Sequence, residues 1–330
     1  MKRLAIGIDI GGINTSMGLV DRAGDVYAES GFRTSEYPYF EDYSAYVKKL
    51  AASLQELCEA IPSGAQLEGI GIGAPNANFY SGRMEWPVNL WKFRPEEPNP
   101  DDKRRIFPLC DDLEAYFPDV AIRMTNDANT AALGEMIYGN ARGMRDFIMV
   151  TLGTGLGSGF VSNGQMIYGH DGMAGELGHV IVEPDGRACG CGRRGCLETY
   201  VSATGIKRTA FELMARDRTP SVLRKVAFDR FDSKMITEAA EQGDALAIEV
   251  FDLTARRLAR ALADAVAITS PEAIILFGGL AQAGDLLLEP TRRYLEEYLL
   301  STYRGKVKVL LSAMDGNSAA VMGAAALIWE

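Results

Sequence analysis

The chain has 330 residues, 47% of them apolar, which is material for about two domains. Lysine and arginine number 34 against 44 aspartates and glutamates, a formal net charge of −10 that speaks against a nucleic-acid face or an anionic membrane surface as partner. No window reaches the roughly 18 apolar residues of a membrane helix, and Asp9 interrupts the apolar run that a signal peptide would need, so the expected location is the cytoplasm.

Taken in chain order, the pattern alternates strands and helices and predicts an α/β fold. Residues 2–10 read as a strand, and 17–20 and 26–32 as two more around a turn at 21–25. An amphipathic helix is expected over 43–61, a buried strand over 67–73, a helix over 102–117 and a short strand over 121–124. The proline-rich stretch 94–100 is the best loop candidate. Asn126 and Asp127 stand where that last strand meets a helix. Asp127 there is either the helix N-cap or a carboxylate presented at the carboxyl edge of the sheet, where α/β sites are built.

The pattern then restarts. A strand over 147–152, a glycine-rich turn, and strands over 159–162 and 165–168 are followed by helices over 245–269, 286–300 and 318–328 and strands over 273–277 and 307–311. IGIDIGGINTSMGLVDRAGDVY near the start resembles FIMVTLGTGLGSGFVSNGQMIY, and both read strand, glycine turn, strand, tight turn, strand. The repeat suits two related domains that each offer a glycine turn. The expected division is a small domain over 1–125 with 317–330, and a large one over 126–316.

Two glycine turns are the first chemical signal. Gly11 and Gly12 follow Asp9 at a strand end, and Gly153, Gly155, Gly157 and Gly159 lie between two apolar strands. Glycine lets backbone N–H groups approach an anion with no Cβ in the way, and Thr15, Ser16, Thr151 and Thr154 offer hydroxyls. The bland reading is two tight hairpins; paired, with an acid at the first strand end, they favour a nucleotide. No G-x-x-x-x-G-K-[ST] occurs, and the G-x-G-x-x-G at 190–195 follows no buried strand, so neither a P-loop nor a Rossmann site is supported.

The second signal is cysteine spacing. An odd total of five disfavours a disulfide framework, yet Cys189, Cys191 and Cys196 crowd into C-G-C-G-x-x-G-C. With His179 as fourth ligand they would make a closed, structural zinc site; three unpaired thiols or a disulfide are the other readings. Cys58 and Cys110 are isolated.

A-G-E-L-G-H at 174–179 with C-G-C-G-R-R-G-C-L-E at 189–198 is similar to the signature of the ROK sugar kinases. D-I-G-G at 9–12, G-T-G-x-G at 153–157 and Gly278–Gly279 resemble that family's phosphate and adenosine motifs, and the likeness runs essentially the whole chain. It implies an α/β fold of two ribonuclease H-like, actin-like ATPase domains with an interdomain cleft. It implies an ATP-dependent hexose kinase acting on a 6-hydroxyl, glucose first and N-acetylglucosamine, N-acetylmannosamine, mannose, fructose or allose after it. By the same resemblance Asp127 is the catalytic base, and Asp9 orients Mg²⁺. Gly11, Gly12, Thr15, Gly153, Thr154 and Gly155 hold phosphates, with Gly278 and Gly279 beside adenosine. Asn89, Asn126, Asp127, Glu176, His179 and Glu198 bind the sugar, and His179, Cys189, Cys191 and Cys196 bind Zn²⁺. A homodimer is expected by analogy. Two departures stand out: Ile13 replaces the usual threonine, with Thr15 as compensation, and Asn76 replaces a glycine of the G-x-P-G loop. A sugar-responsive repressor of the same family would carry a helix-turn-helix segment ahead of Asp9, for which no room is expected; an idle sugar-binding protein is the remaining alternative.

Overall fold

In the computed structural model, which describes residues 2–87, 90–94, 105–314 and 316–330, the chain forms two compact units. The first comprises Met1–Gly143, Gln165–Ala174 and Ala313–Glu330; the second comprises Met144–Gly164 and Gly175–Ser312. Asn89 and most of the expected 94–100 loop lie outside the described residues, as does the start of the expected 102–117 helix.

In the first unit, β1 (Lys2–Ile10), β2 (Thr15–Asp21) and β3 (Val26–Phe32) form an antiparallel meander. β4 (Ala65–Gly73) and β8 (Ala121–Thr125) extend it in parallel, giving the order β3-β2-β1-β4-β8. β5 (Ala77–Asn78), β6 (Arg83–Glu85) and β7 (Ile106–Phe107) make a small separate sheet, and β11 is Gln165–Met166. One face of the main sheet packs on α1 (Tyr43–Glu59), whose buried Tyr46, Val47, Leu50, Leu54 and Leu57 recur at helical spacing. On the other face lies α8 (Gly316–Ala326). A Cβ at Gly7 or Gly71 would strike the Val321 or Ala324 carbonyl, so glycine at both positions is what lets the helix backbone settle on the strands. In the described part of the expected 102–117 helix the chain forms strand β7, Pro108 and α2 (Leu109–Glu114): proline lacks the N–H to continue a helix and holds its predecessor extended.

The second unit repeats the plan. β9 (Phe147–Leu152) pairs antiparallel with β10 (Leu156–Ser162) and parallel with β12 (Ala273–Phe277), which pairs parallel with β13 (Lys308–Leu311). Its core gathers Ile148 and Val150 of the sheet with Leu258 and Leu262 of α6 (Ala245–Thr269) and Leu295 of α7 (Asp285–Tyr298). α6 starts where Asp244 accepts from the amides of Leu246 and Ala247, both at 3.1 Å, and stops at Ser270, left-handed with φ 49° before Pro271. α4 (Ala203–Arg216) and α5 (Ser233–Glu241), which the sequence reading passed over, complete this unit.

The division at Gly143 differs from the boundary expected at 125/126. α3 (Asp127–Ile137) packs on α8, with Gly323 set against the Thr130 carbonyl, so the helix that opens with Asp127 is grouped with β1 and β2.

Candidate active site and metal knuckle

The first unit collects its acids at one sheet edge. Asp9 is level with Gly73 on β4, and Gly73 is level with Thr125 on β8, so the carboxyl ends of three parallel strands form a row. This is the edge at which open α/β sheets build their sites. The chain turns into α3 two residues beyond Thr125. Asn126 is the N-cap: its Oδ1 accepts the Asn129 amide at 2.7 Å, while Asn129 Nδ2 donates to Thr125 Oγ1 at 2.9 Å. Asp127 is therefore not the cap. It is the first helical residue, with its carboxylate at the positive end of α3 and Oδ1 accepting the Ala128 amide at 2.8 Å. It keeps an accessible face, yet the protein around it is dense enough that desolvation raises its carboxyl above the usual range, against the lowering effect of backbone N–H groups. Burial, and after it the charge of Asp127, pushes the Asp9 carboxyl up to about 6.

The first glycine turn closes through the Gly11 amide, which donates to the Asn14 carbonyl at 2.9 Å, and Gly12, Ile13 and Asn14 are exposed. Thr15 faces the other way. It is 1% exposed, and its Oγ1 lies 2.8 Å from Thr34 Oγ1 and 2.9 Å from Tyr46 OH, all within the core. The expectation that Thr15 offers its hydroxyl to a phosphate is corrected: strand alternation turns it inward, and two core hydroxyls occupy it.

Asn76 has φ 54°, the left-handed region that its usual glycine would adopt at no cost and that asparagine tolerates better than other side chains. Its Nδ2 donates to the Trp86 carbonyl at 3.2 Å, and its carbonyl accepts the Glu85 amide at 2.9 Å, so the substitution keeps the loop and fastens it to the end of β6.

In the second unit, Gly153 and Thr154 are exposed at the end of β9, where the Gly153 amide donates to the Gly155 carbonyl at 3.0 Å. Thr151 of β9 pairs with Phe277 of β12, so the Gly278–Gly279 turn opens at the same edge. Gly278 (φ 97°) lies against the Leu152 backbone, and the Leu280 amide donates to the Leu152 carbonyl at 3.0 Å. The amino end of α4 closes on the same turn, with the Ala203 amide donating to the Gly153 carbonyl at 2.8 Å.

Glu176, His179, Glu198 and the three clustered cysteines also meet in the second unit. Cys189 Sγ lies 3.7 Å from His179 Nδ1, Cys191 Sγ lies 3.7 Å from Cys196 Sγ, and all four ligand atoms fall within 4.8 Å of one another. A tetrahedral ion with Zn–S bonds of about 2.3 Å sets its sulfurs about 3.8 Å apart, so the donor set fits zinc in spacing and in chemistry. A disulfide is excluded at that separation. The backbone explains the fit: the Cys189 amide donates to the Arg193 carbonyl at 2.9 Å, and Gly192 (φ 86°) and Gly195 (φ 77°) turn the knuckle through left-handed positions. His179 Nε2 points the other way, 3.9 Å from Glu176 Oε2.

Sequence reasoning missed the supports of this knuckle. Arg187 is 9% exposed; its guanidinium donates to both oxygens of Glu212 (2.8 and 2.6 Å), to the Thr199 and Gly205 carbonyls and to Thr209 Oγ1. It also stacks 4.4 Å over the Tyr200 ring. Ser202 caps α4 by accepting the Gly205 amide at 2.9 Å and donates to the Glu198 carbonyl at 2.8 Å. Arg187 sits two residues before Cys189, but nothing in an arginine beside a glycine announces burial.

Two units, each built from a strand, a glycine turn and a returning strand, define the actin-like ATPase fold. The chain belongs to the ROK family, whose model matches residues 5–330. It is 34% identical to a glucokinase of Thermotoga maritima across the whole chain and 98% of that protein. It is 35% identical to a glucokinase of Halalkalibacterium halodurans, over 99% of the chain and 95% of that protein. A crystal structure of a ROK family glucokinase from Streptomyces griseus, in complex with glucose and AMPPNP, superposes with a TM-score of 0.77 at 33% identity, over 98% of both chains. Among the described residues, no helix is long and apolar enough to cross a membrane.

Proposed function

We propose that this protein is an ATP-dependent hexose kinase that phosphorylates the 6-hydroxyl of glucose. One observation carries the reading: Asp127 is an accessible carboxylate, relieved of capping by Asn126 and raised in basicity by its surroundings, at the carboxyl edge of the sheet. A base of that kind takes the proton from the sugar hydroxyl as its oxygen attacks the γ-phosphorus, a contribution of roughly 10²–10⁴-fold. The remainder of phosphoryl transfer is positioning and charge neutralisation.

The supporting roles follow from placement. The exposed turns at Gly11–Gly12 and at Gly153, Thr154 and Gly155 offer backbone donors to the phosphates, and Gly278–Gly279 opens beside the second of them for the adenosine side. Asn126 Nδ2, Glu176, His179 Nε2 and Glu198 are the groups for sugar hydroxyls, with Asn89 assigned by resemblance. Mg²⁺ arriving with the nucleotide supplies charge neutralisation, and Asp9 is the residue to orient it. Zinc held by His179 Nδ1, Cys189, Cys191 and Cys196 supplies a fixed frame, and its binding to Nδ1 leaves the Nε2 proton to face the sugar side. A cytoplasmic homodimer belongs to the same reading.

The test is ADP release from Mg-ATP across a panel of hexoses and N-acetylhexosamines, run beside Asp127→Ala. Sugar-dependent turnover that the substitution abolishes supports the assignment, and the panel ranks glucose against N-acetylglucosamine, N-acetylmannosamine, mannose, fructose and allose. A folded, zinc-loaded protein that turns over none of them overturns it, and retained sugar binding would then identify a binding protein.

A further inference from the structure

Glu198 belongs to the sugar side in the reading above, yet one of its oxygens is already committed. Oε2 accepts the Leu156 amide at 3.0 Å, at the end of the 153–155 turn, while Oε1 lies 3.7 Å from Cys189 Sγ. Behind it, the Glu198 carbonyl accepts from Ser202 Oγ at 2.8 Å, and the next residue of α4, Ala203, donates to the Gly153 carbonyl at 2.8 Å. The carboxylate and the helix start thus grip the glycine turn from two directions. Gly155 shows how tight the grip is. Its φ is not left-handed, so its backbone accepts any residue, but a Cβ there would overlap Glu198 Oε2. A side chain at this position would therefore push the carboxylate aside, while the turn itself would tolerate it.

We propose that Glu198 is a positioning residue that couples the two substrates: the same carboxylate that serves the sugar side fixes the turn that serves the phosphates, with Gly155 as the space it needs. The bond from the Leu156 amide to Oε2 ties the orientation of the carboxylate to that of the 153–155 turn. Ordering of the 153–155 turn by a nucleotide then pre-orients Glu198 for sugar, and sugar does the same for the turn, since coupling between two ligands is reciprocal. The inference rests on the kinase reading, but its test is a binding measurement that needs no turnover.

The experiment is calorimetric titration of glucose, and separately of a non-hydrolysable ATP analogue with Mg²⁺, into wild type, Gly155→Ala, Glu198→Ala and the double variant. Melting temperature and zinc content serve as controls on folding. Gly155→Ala is expected to weaken glucose binding about tenfold with no nucleotide present, although residue 155 lies on the phosphate turn, because the added methyl displaces Glu198. In the double variant the methyl has nothing left to displace, so its glucose affinity should match Glu198→Ala alone. In wild type, saturation with the analogue should tighten glucose binding, and Gly155→Ala should lose that gain. Wild type that binds glucose while Gly155→Ala binds it equally well, or a double variant whose losses simply add, overturns the coupling alone. Wild type that binds no hexose overturns the kinase reading and the coupling with it.

Discussion

Asn126 caps α3 through the Asn129 amide, 2.7 Å away, and by doing so leaves the neighbouring Asp127 carboxylate free for chemistry. Asp127→Asn keeps the shape and one acceptor for the Ala128 amide while removing the carboxylate proposed as the base. It should lower kcat by about 10²–10⁴-fold and leave glucose affinity within a few-fold of wild type. Rates and calorimetric affinities measured on the same preparation check this; an equal loss in both would make Asp127 a binding group.

Asn126→Ala separates capping from catalysis. Loss of the cap should cost about 1 kcal/mol, read as a shift in the urea midpoint. Because the cap also fixes the first turn of α3, activity should fall as well, but by less than in Asp127→Asn.

Asp9 is held at a cost. Its carboxyl is raised to about 6 in the folded chain by burial and by Asp127, from an ordinary value near 3.8. The folded state therefore holds the Asp9 proton more tightly than the unfolded chain. The stability this gives is full below the unfolded value and is lost as pH rises through about 6. Asp9→Asn should stabilise the ligand-free protein at pH 8, by an amount on the order of 1 kcal/mol once partial exposure is allowed for, read as a higher melting temperature, and change little near pH 4. The same variant should lose turnover with Mg-ATP. Melting curves at the two pH values decide it; a variant that is less stable at pH 8 would show Asp9 to be a structural ion.

The knuckle makes a prediction about metal. Elemental analysis should find one zinc per chain. Prolonged chelation should release it and lower the melting temperature by about 5 °C or more, because binding energy at such a site is folding energy. Cys191→Ser, at an exposed position, should reproduce the loss without creating a core cavity. A metal-free preparation with unchanged melting would leave the three cysteines as ordinary thiols.

Most strands and the long α6 were legible because their signals are local: apolar runs between turns, helical spacing, Asp244 at one end and Pro271 beyond the other. The cysteine spacing and the A-G-E-L-G-H segment pointed in the same way to the four residues whose ligand atoms lie within 4.8 Å of one another. What could not be read were side-chain commitments made across the fold. Thr15 reads as a hydroxyl beside a glycine turn until Thr34 and Tyr46 are seen to occupy it. Arg187 reads as one surface arginine among many until Glu212 and two carbonyls close around it. Gly155 reads as a phosphate glycine, and its second reason, the Glu198 carboxylate, lies more than forty residues further along the chain.

Ile13 and Thr15 can be told apart by experiment. Ile13 is 63% exposed on the first glycine turn, so Ile13→Thr should change stability by no more than about 0.5 kcal/mol while placing a hydroxyl where the family usually has one. The expected result is a lower KM for ATP with glucose affinity unchanged. Thr15→Val should do the reverse. It keeps the shape but takes a partner from two buried hydroxyls, at a cost of about 1–3 kcal/mol, and should leave the KM for ATP near wild type. Melting temperature and the KM for ATP, measured for both variants, give a two-by-two outcome. Should Thr15→Val raise the KM with no loss of stability, the hydroxyl must leave Thr34 and Tyr46 when nucleotide binds, and the inward orientation described above would belong to the ligand-free state alone.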